Sequence, residues 1–339
     1  MTFEAPTTFS HPDWLRAIMA QVPGAQAVRE PETGFAKLSM ALQKRRLPLV
    51  YFESWVTPLC PTGLPAVASL PAESHVASLL NKLDAPVLFR NLPVDHPTTQ
   101  AILAAASHTH VLGTWERAGL NLQGSFEDWL SNNFDHKRRK ELKRLRARLA
   151  EIGELSVESL SAGGNLDIFT QNFLALESAG WKGKRGTALS LDPAISAALR
   201  NGQSVMHRNG ALRFWQFLLN GKPIASLFAL IDGNEVALGK IAHDDAFAKY
   251  SPGVLIIMEA TQQLLTEEGL ELADSNAIPG HPMIDRIWRD RIPCMDVLVA
   301  GQDVPAALFS SLVFFLGTKN ALRSFAKQVF LRVTGRKRS

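Results

Sequence analysis

The clearest pattern of apolar and polar positions lies between residues 203 and 275. Runs rich in Val, Ile, Leu, Phe and Trp are separated there by Asn209-Gly210, Asn220-Gly221 and Asp232-Gly233. Such dipeptides readily adopt the positive φ angles of two-residue hairpin turns. The spacing predicts an antiparallel meander of four strands, the last of which covers residues 235–242.

A helix start follows the fourth strand. Ser251 can cap this helix, Pro252 suits its first turn, and Gly253 allows another group to approach the backbone closely. This helix start is a candidate anion site. A strand at residues 270–275 comes after the helix, and a helical connection favours parallel pairing of the strands that it joins. A helical turn at 283–288 and a strand at 295–299 complete a mixed α/β pattern whose sheet can splay where pairing is interrupted.

A basic amphipathic helix is predicted ahead of the meander. Residues 137–148 hold eight Lys or Arg and one acid, Glu141. The apolar residues fall near one face: Phe134, Leu142, Leu145, Leu149 and Ile152. Two interpretations stay open, a solvated face over a core stripe or a clamp for a phosphorylated ligand or anionic surface.

A flexible cationic loop is predicted at residues 180–187, after a strand at 155–160 and a helix at 165–179. It reads Gly-Trp-Lys-Gly-Lys-Arg-Gly-Thr. The mixture of glycines, cations and an aromatic ring suits a phosphate or an adenine, although such a cluster of glycines also simply turns a chain.

The first 123 residues show a weaker, mixed α/β pattern. Strands are predicted at 47–56, 87–91 and 108–115, with a short helix at 100–107. The prolines at 58, 61, 65 and 71 mark a loop-rich stretch, because proline lacks an amide donor and has a fixed φ.

Length and composition fit a protein with two cores. The chain has 339 residues, 46% of them apolar and 20% charged, as in soluble globular proteins. Cys60 and Cys294 are too few for a disulfide framework or a cysteine-based zinc site, and the N-terminus lacks a basic segment followed by an apolar one. We expect a cytoplasmic location.

The net charge of +4 is unevenly distributed. Residues 304–339 hold seven basic side chains and no acid; outside this tail and the basic helix, 21 basic residues face 31 acidic ones. The body of the protein is therefore acidic, which argues against general nucleic-acid binding and against DNA as a partner.

Several strings resemble the CelD/BcsL group of the GNAT acyltransferase superfamily, which is related to the Fem-type aminoacyltransferases. The element order after residue 203 is also that of a GNAT core. The matching strings together span residues 125–300: Arg138-Arg139, Leu176-Glu177, Gly180-Trp181-Lys182-Gly183, Gly186-Thr187, Lys240-Ile241-Ala242-His243-Asp244-Asp245, Tyr250-Ser251-Pro252-Gly253-Val254-Leu255 and Asp285 to Trp288.

The resemblance implies tandem GNAT-like domains, because Fem-type proteins carry two. The expected division is an N-terminal, degenerate GNAT-like domain at 1–124, a complete catalytic domain at 125–302 and basic amphipathic helices at 303–339. It also implies transfer of an acyl group from a thioester, most often acetyl-CoA, to an amine of a small molecule, an amino sugar or an envelope or exopolysaccharide precursor.

One departure from the family pattern concerns the pyrophosphate of CoA. Many GNAT enzymes bind it with a Gln/Arg-x-x-Gly-x-Gly/Ala loop, whereas residues 249–254 read Lys-Tyr-Ser-Pro-Gly-Val. One glycine and a proline leave fewer amide donors, although the helix dipole and Lys249 can still attract an anion. The departure leaves room for aminoacyl-tRNA as the donor.

Attack of an amine on a thioester needs a proton acceptor and a site for the oxyanion. Backbone amides near residues 239–242 are candidates for the oxyanion site, and His243 or Asp244 for the base. Asp244 and Asp245 can instead cap a turn, and His243 can be a surface imidazole. The cofactor-binding candidates are Lys240, Ile241, Ala242, Lys249, Ser251, Gly253, Val254, Leu255, Trp181 and Lys182.

Weaker candidates complete the set. Glu177 can pair with Lys182 or serve catalysis, Asp274 can orient the acceptor, and Tyr250 can protonate a departing thiolate or simply pack. His108 and His110 share a strand face without a third ligand, so no metal is expected.

The C-terminal tail suggests a separate hypothesis. Residues 306–316 are apolar but shorter than the ~20 residues that span a bilayer, and a basic helical segment follows. Phe309, Val313 and Leu316 can pack on the core, or the tail can attach peripherally to an anionic inner membrane face.

The leading hypothesis is an acyl-CoA-dependent N-acyltransferase. Its alternatives are an aminoacyl-tRNA-dependent transferase, in which the basic helix binds RNA, and a non-catalytic scaffold of polysaccharide biosynthesis.

Overall fold

The computed structural model describes residues 8–22, 24, 26–29, 38–46, 48–67, 73–161 and 163–333. Its strands are β1 Gln26–Arg29, β2 Leu38–Arg45, β3 Tyr51–Ser54, β4 Ala66–Val67, β5 Val87–Pro93, β6 His108–Asn121, β7 Leu155–Ser159, β8 Leu212–Leu219, β9 Lys222–Asp232, β10 Glu235–His243, β11 Leu272–Asp274 and β12 Asp290–Ala300.

The helices are α1 Pro12–Met19, α2 Glu73–Lys82, α3 Pro97–Ala105, α4 Phe126–Asn133, α5 His136–Ala150, α6 Leu166–Ala179, α7 Trp181–Lys184, α8 Pro193–Arg208, α9 Pro252–Leu264 and α10 Ala306–Val333. Short 3-10 turns occupy Thr8–Ser10, Leu189–Leu191, Asp245–Tyr250 and Ile284–Arg286. The mixed α/β fold predicted from the sequence is confirmed.

All of these strands belong to one mixed sheet. Its order is β1-β2-β3-β5-β12-β6-β11-β10-β9-β8-β7, with β4 paired to β2. The last strand, β12, lies between β5 and β6 of the N-terminal half, and β6 pairs with β11 of the C-terminal half. Two strands thus join the halves of the chain into a continuous sheet.

The predicted meander is correct for β8, β9 and β10 but wrong for its first strand. Residues 203–208 are the last turns of α8. Asp192 caps the N-terminus of this helix, where its side chain accepts the N–H groups of Ala194 and Ile195. Gly210 has a φ of 72°, and the N–H of Ala211 donates to the C=O of Met206 at 2.8 Å. Asn209-Gly210 therefore terminates a helix, because a glycine with positive φ serves a helix end as well as it serves a hairpin.

Two hydrophobic cores cover opposite faces of the sheet around β10. On one face α9 packs with Val236, Leu238 and Trp288 in its core. On the other face the core contains residues of α1, α6 and α8 together with Phe228 and Ala237. A ligand bound between β10 and β11 can therefore contact residues from both faces of the sheet.

The C-terminal helix α10 packs on the N-terminal half through Phe309, Leu312 and Leu316, which are buried. The predicted packing of Phe309 and Leu316 is thus confirmed, and Val313 packs partly buried beside them. Within the described ranges, no helix combines the length and the apolar character needed to cross a membrane. Residues 334–339 of the tail lie outside the described residues.

Candidate active site

The site begins where β10 and β11 separate. The two strands pair in parallel between residues 235–237 and 272–274, and β10 then continues to His243 without β11 beside it. The chain after Asp274 turns away through Asn276, whose φ is 48° and whose side-chain amide donates to the C=O of Leu238 at 3.4 Å. A gap opens in the sheet beyond this contact, as the sequence predicted for an interrupted pairing.

A β-bulge lies on the rim of the gap. The pairing of β10 with β9 shifts register between Leu238 and Ile241, so Gly239 and Lys240 have no partners in β9. A Cβ at Gly239 would lie 2.2 Å from the ring of Phe228. Only glycine lets this ring cover the bulge, so the irregularity is built into the packing.

Beyond the bulge, two backbone N–H groups point into the gap. The N–H of Asp244 donates to the C=O of Ile224 at 2.9 Å, and in an antiparallel ladder such pairs alternate with pairs that face outward. Ile241 and His243 therefore direct their N–H and C=O groups away from β9. Lys182 Nζ, 3.4 Å from the Ile241 C=O, confirms this orientation.

A cavity of about 380 Å³ extends through the gap. Its lining comes from α6 and α7, from the end of β10 and from the segment after β11: Leu176, Glu177, Gly180, Lys182, Ile241, Ala242, His243, His281, Pro282 and Met283. Most of these side chains are apolar, and the polar ones are two histidines and one ion pair. This composition is typical of a small-molecule site.

His243 is the candidate base that this cavity contains. Its Nδ1 is buried and has no hydrogen-bond partner in the described part of the chain. The ring lies against the first turn of α9, where a Cβ on Gly253 would be 3.0 Å from His243 Cδ2 and 3.3 Å from Met283 Sδ. The absence of a side chain at Gly253 thus makes room for the imidazole.

Glu177 and Lys182 form the ion pair that the sequence suggested. Glu177 Oε1 lies 2.9 Å from Lys182 Nζ, and Oε2 accepts the N–H of Leu189 at 2.8 Å. Both carboxylate oxygens are thus engaged, and the Glu177 side chain is only 1% exposed. This arrangement gives Glu177 a positioning role at the wall of the cavity.

His281 is a cavity residue that the sequence reading missed. Its Nδ1 accepts the N–H groups of Met283 and Ile284 at 3.3 and 3.4 Å, so the proton of the neutral ring lies on Nε2. Burial lowers the pKa of His281 and favours this neutral form. The dipeptide His281-Pro282 was the available signal in the sequence. In His11-Pro12 and His96-Pro97 the histidine Nδ1 likewise accepts the N–H of the residue two positions later.

The N-terminus of α9 offers fewer amides than a typical phosphate-binding helix. Ser251 has a φ of 54° and, contrary to the prediction, makes no side-chain cap; its C=O instead accepts the N–H groups of Val254 and Leu255. Pro252 has no N–H. Within the described structure, the first turn keeps one N–H without an acceptor, that of Gly253.

The other predicted cofactor residues near α9 are spread out. Lys249 is exposed, and its Nζ lies 4.9 Å from the ring centre of Tyr250. Tyr250 and Val254 pack partly buried against the core, and Leu255 is buried in it. Leu255 is therefore placed to hold the helix rather than to contact a ligand.

The remaining predicted residues, as far as the structure describes them, are not among those that line the cavity. Asp244 accepts the N–H of Ala246 at 2.9 Å and caps the turn Asp245–Tyr250, as the alternative interpretation of this residue held. Asp245 pairs with Lys184 at 3.2 Å. The side chain of Trp181 lies outside the described residues. Asp274 pairs with the buried Arg117 rather than facing the gap alone.

Comparison with known proteins identifies the domain that holds this site. Residues 136–276 match the model of the acetyltransferase (GNAT) domain. This part of the chain is therefore similar to a GNAT domain. The protein is an enzyme of the N-acyltransferase type. No curated protein sequence matches the chain.

Three solved structures share the fold over most of the chain. FemX is 11% identical, with 87% of this chain and 94% of that one covered at a TM-score of 0.55. The C-terminal domain of a protein assigned as a lysylphosphatidylglycerol synthetase from Agrobacterium fabrum is 12% identical, with 88% and 90% covered at 0.53. A conserved protein of unknown function from Bacteroides thetaiotaomicron is 11% identical, with 88% and 92% covered at 0.51. At these identities the likeness shows the fold alone.

Proposed function

We propose that this enzyme transfers an acyl group from acyl-CoA, with acetyl-CoA as the first choice, to an amine of a small molecule, amino sugar or envelope precursor, as in the CelD/BcsL group. The observation that carries the proposal is the gap beside β10. There the outward N–H groups of Ile241 and His243 and the imidazole of His243 lie at the same cavity.

Each group at the gap suits one requirement of direct acyl transfer. The amine attacks the thioester carbon, a C–N bond forms, and the C–S bond breaks to release a thiolate. The amides of Ile241 and His243 stabilise the oxyanion, for which fixed donors are worth several kcal/mol. His243 accepts the proton of the attacking amine, and the neutral His281 supplies a further donor through Nε2–H.

The fit to CoA is uneven along the length of that molecule. The gap suits the thioester, whereas the pyrophosphate would find one unused N–H, that of Gly253, together with the helix dipole and the exposed Lys249. Fixed amide donors are thus scarce at the place where most GNAT enzymes concentrate them.

This scarcity and one further observation favour aminoacyl-tRNA as a second candidate donor. Helix α5 packs against the turn Asp245–Tyr250, next to the start of α9. Its exposed Lys140, Lys143 and Arg144 form no ion pair within the described residues. Two proteins that share the fold, FemX and the lysylphosphatidylglycerol synthetase domain, suit this alternative, since the latter's name denotes a lysylated product.

Ligand-induced thermal stabilisation separates the two donors. A ligand that binds only the folded protein raises its stability by about 2.7 kcal/mol at a hundredfold excess over Kd. We expect acetyl-CoA and longer acyl-CoAs to raise Tm and tRNA to have no effect at physiological salt. Stabilisation by tRNA alone would overturn the proposal in favour of the second candidate. Such tRNA binding should weaken steeply as the salt concentration rises, because binding releases counterions from the nucleic acid. It should also weaken in a K140M/K143M/R144M variant, which has lost three cations that could contact phosphates.

A further inference from the structure

A second, smaller cavity of about 50 Å³ adjoins the bulge of β10. Lys240 contributes to its lining, together with Leu238, Gly239 and Asn276 from the rim of the gap. Phe9 and Leu59 close it from the N-terminal segments. The cavity therefore combines one cation and the amide of Asn276 with side chains that are otherwise apolar.

Lys240 lines this cavity without a carboxylate partner from the described part of the chain. Among the described residues, none forms an ion pair or a hydrogen bond with its amine. Glu177, the acid that attracts Lys240 electrostatically, already binds Lys182 through one oxygen and the N–H of Leu189 through the other. Glu177 and Lys182 cancel each other's charge, which leaves Lys240 uncompensated as far as the described residues go.

A half-buried cation without a partner is costly for a protein. Taking a charge out of water without a partner costs several kcal/mol, and the usual remedy is an opposite charge at contact distance. Burial, followed by repulsion from Lys182, lowers the pKa of Lys240, as expected for an amine that lacks a partner. A ligand with a negative charge would supply the missing partner.

The position of the cavity indicates which ligand. Gly253, at the start of α9, lies against Ile241 and Met283 on the face that α9 covers. The small cavity lies on the opposite face, beside Phe9 and Phe228. A donor held at α9 and an acceptor held at Lys240 would therefore approach the gap from opposite faces, as direct transfer between two bound substrates requires.

We propose that Lys240 binds a carboxylate of the acceptor, so that this enzyme acylates an amine carried by an anionic molecule such as an amino acid, a peptide or an amino-sugar acid. The proposal rests on the proposed function and names the chemical class of its acceptor. A space of about 50 Å³ is enough for a few water molecules or a carboxylate group, since about 10–15 Å³ of the same kind of volume holds one water molecule.

A probe that needs no turnover tests the site itself. Sodium formate would be titrated against sodium chloride of equal ionic strength, and Tm recorded for the wild type, K240M and K222M. Lys222 is an exposed lysine at the start of β9 and serves as the matched control. We expect a saturable rise of at least about 1 °C in the wild type and K222M and none in K240M. Equal responses of all three proteins would overturn the carboxylate site.

The acceptor class is tested with paired amines. Amino acids would be compared with their amides, dipeptides with dipeptide amides, and amino-sugar acids with amino sugars. The pair with the highest kcat/KM identifies the type of molecule that carries the carboxylate. We expect the acid of that pair to have a kcat/KM at least about tenfold higher and K240M to abolish the preference. K240R, which keeps the charge, should retain part of it. Equal use of acid and amide by the wild type would overturn the inference.

The two measurements separate the possible failures. If the wild type transfers no acyl group to any of these amines but responds to formate as expected, the proposed function is rejected and the anion site is kept. Transfer activity without a formate response or an acid preference would reject the anion site alone.

Discussion

Lys182 Nζ lies 2.9 Å from Glu177 Oε1 across the end of α6, and the same amine is 3.4 Å from the C=O of Ile241 on β10. The Lys182 side chain thus joins the wall of the cavity to the strand whose amides face the gap. Glu177 adds a third connection by accepting the N–H of Leu189. One buried carboxylate therefore positions three segments of the site.

Removal of Glu177 should destabilise the fold. The E177A substitution leaves Lys182 and the Leu189 N–H without partners, and losing one member of a buried pair costs about 3 kcal/mol. Urea unfolding of E177A, K182M and the double variant gives the coupling energy. E177Q keeps the shape and an acceptor oxygen, so it should retain most of the turnover. A large loss of turnover in a stably folded E177Q would assign Glu177 a catalytic role instead.

Exchange of His243 should affect chemistry, and exchange of Asp244 should affect stability. H243Q removes the proposed proton acceptor, and a general base contributes about 10²- to 10⁴-fold to rate. D244A removes the cap on the turn Asp245–Tyr250 at a cost of about 1 kcal/mol. Turnover and donor-induced thermal shifts would be measured for both variants. A D244A protein that binds donor normally but has lost turnover would reverse the assignment.

The sequence predicted the elements that depend on local signals. The turn at Asn220-Gly221 has positive φ at both residues, as a two-residue hairpin of this type requires, and α5 and α6 follow their apolar periodicity. The pairing of Glu177 with Lys182 was also predictable, because the two residues are close in sequence and opposite in charge. These features are decided within a few residues of chain.

Features that depend on distant partners could not be predicted in the same way. Gly210 with positive φ suits a hairpin and a helix end equally, and only the packing of Met206 in the core settles the choice in favour of α8. The insertion of β12 between β5 and β6 joins segments about 200 residues apart. The sequence likewise gives no sign that Lys240 lacks a partner among the described residues, because this depends on all the segments that surround it.

A side chain at Gly253 should disturb His243. The Cβ of G253A would lie 3.0 Å from His243 Cδ2 and 3.3 Å from Met283 Sδ, so the imidazole has to shift. Misplacement of a catalytic group by about 1 Å can cost 10²-fold in rate, so a fall in kcat of at least tenfold is expected. G113A is the matched control, because a Cβ at Gly113 meets no atom within 4 Å. Equal kcat values for G253A and G113A would contradict the prediction.

The exposed face of α10 allows a test of membrane attachment. Phe314 and Leu322 lie two turns apart with 78% and 63% of their surface exposed. If the basic tail attaches to an anionic surface, the protein should float with phosphatidylglycerol vesicles and not with phosphatidylcholine vesicles, and F314S/L322S should weaken flotation. I278S, at a residue that is 71% exposed, is the control. Equal flotation of both variants and the wild type, or none at all, would reject membrane attachment through α10.

Glu235 should make the stability of the fold depend on pH. Burial, followed by the nearby carboxylates of Asp274 and Asp232, raises the pKa of Glu235 from 4.5 to about 7. Between these values the folded protein keeps a proton that the unfolded chain releases, so stability falls as pH rises through this window. From pH 5 to 8 the wild type should lose up to roughly 3 kcal/mol more than E235Q, which cannot ionise. Urea unfolding across this range measures the difference. E158Q, at an exposed glutamate on β7, should follow the wild type, and an E235Q curve parallel to both would show that Glu235 is not the cause.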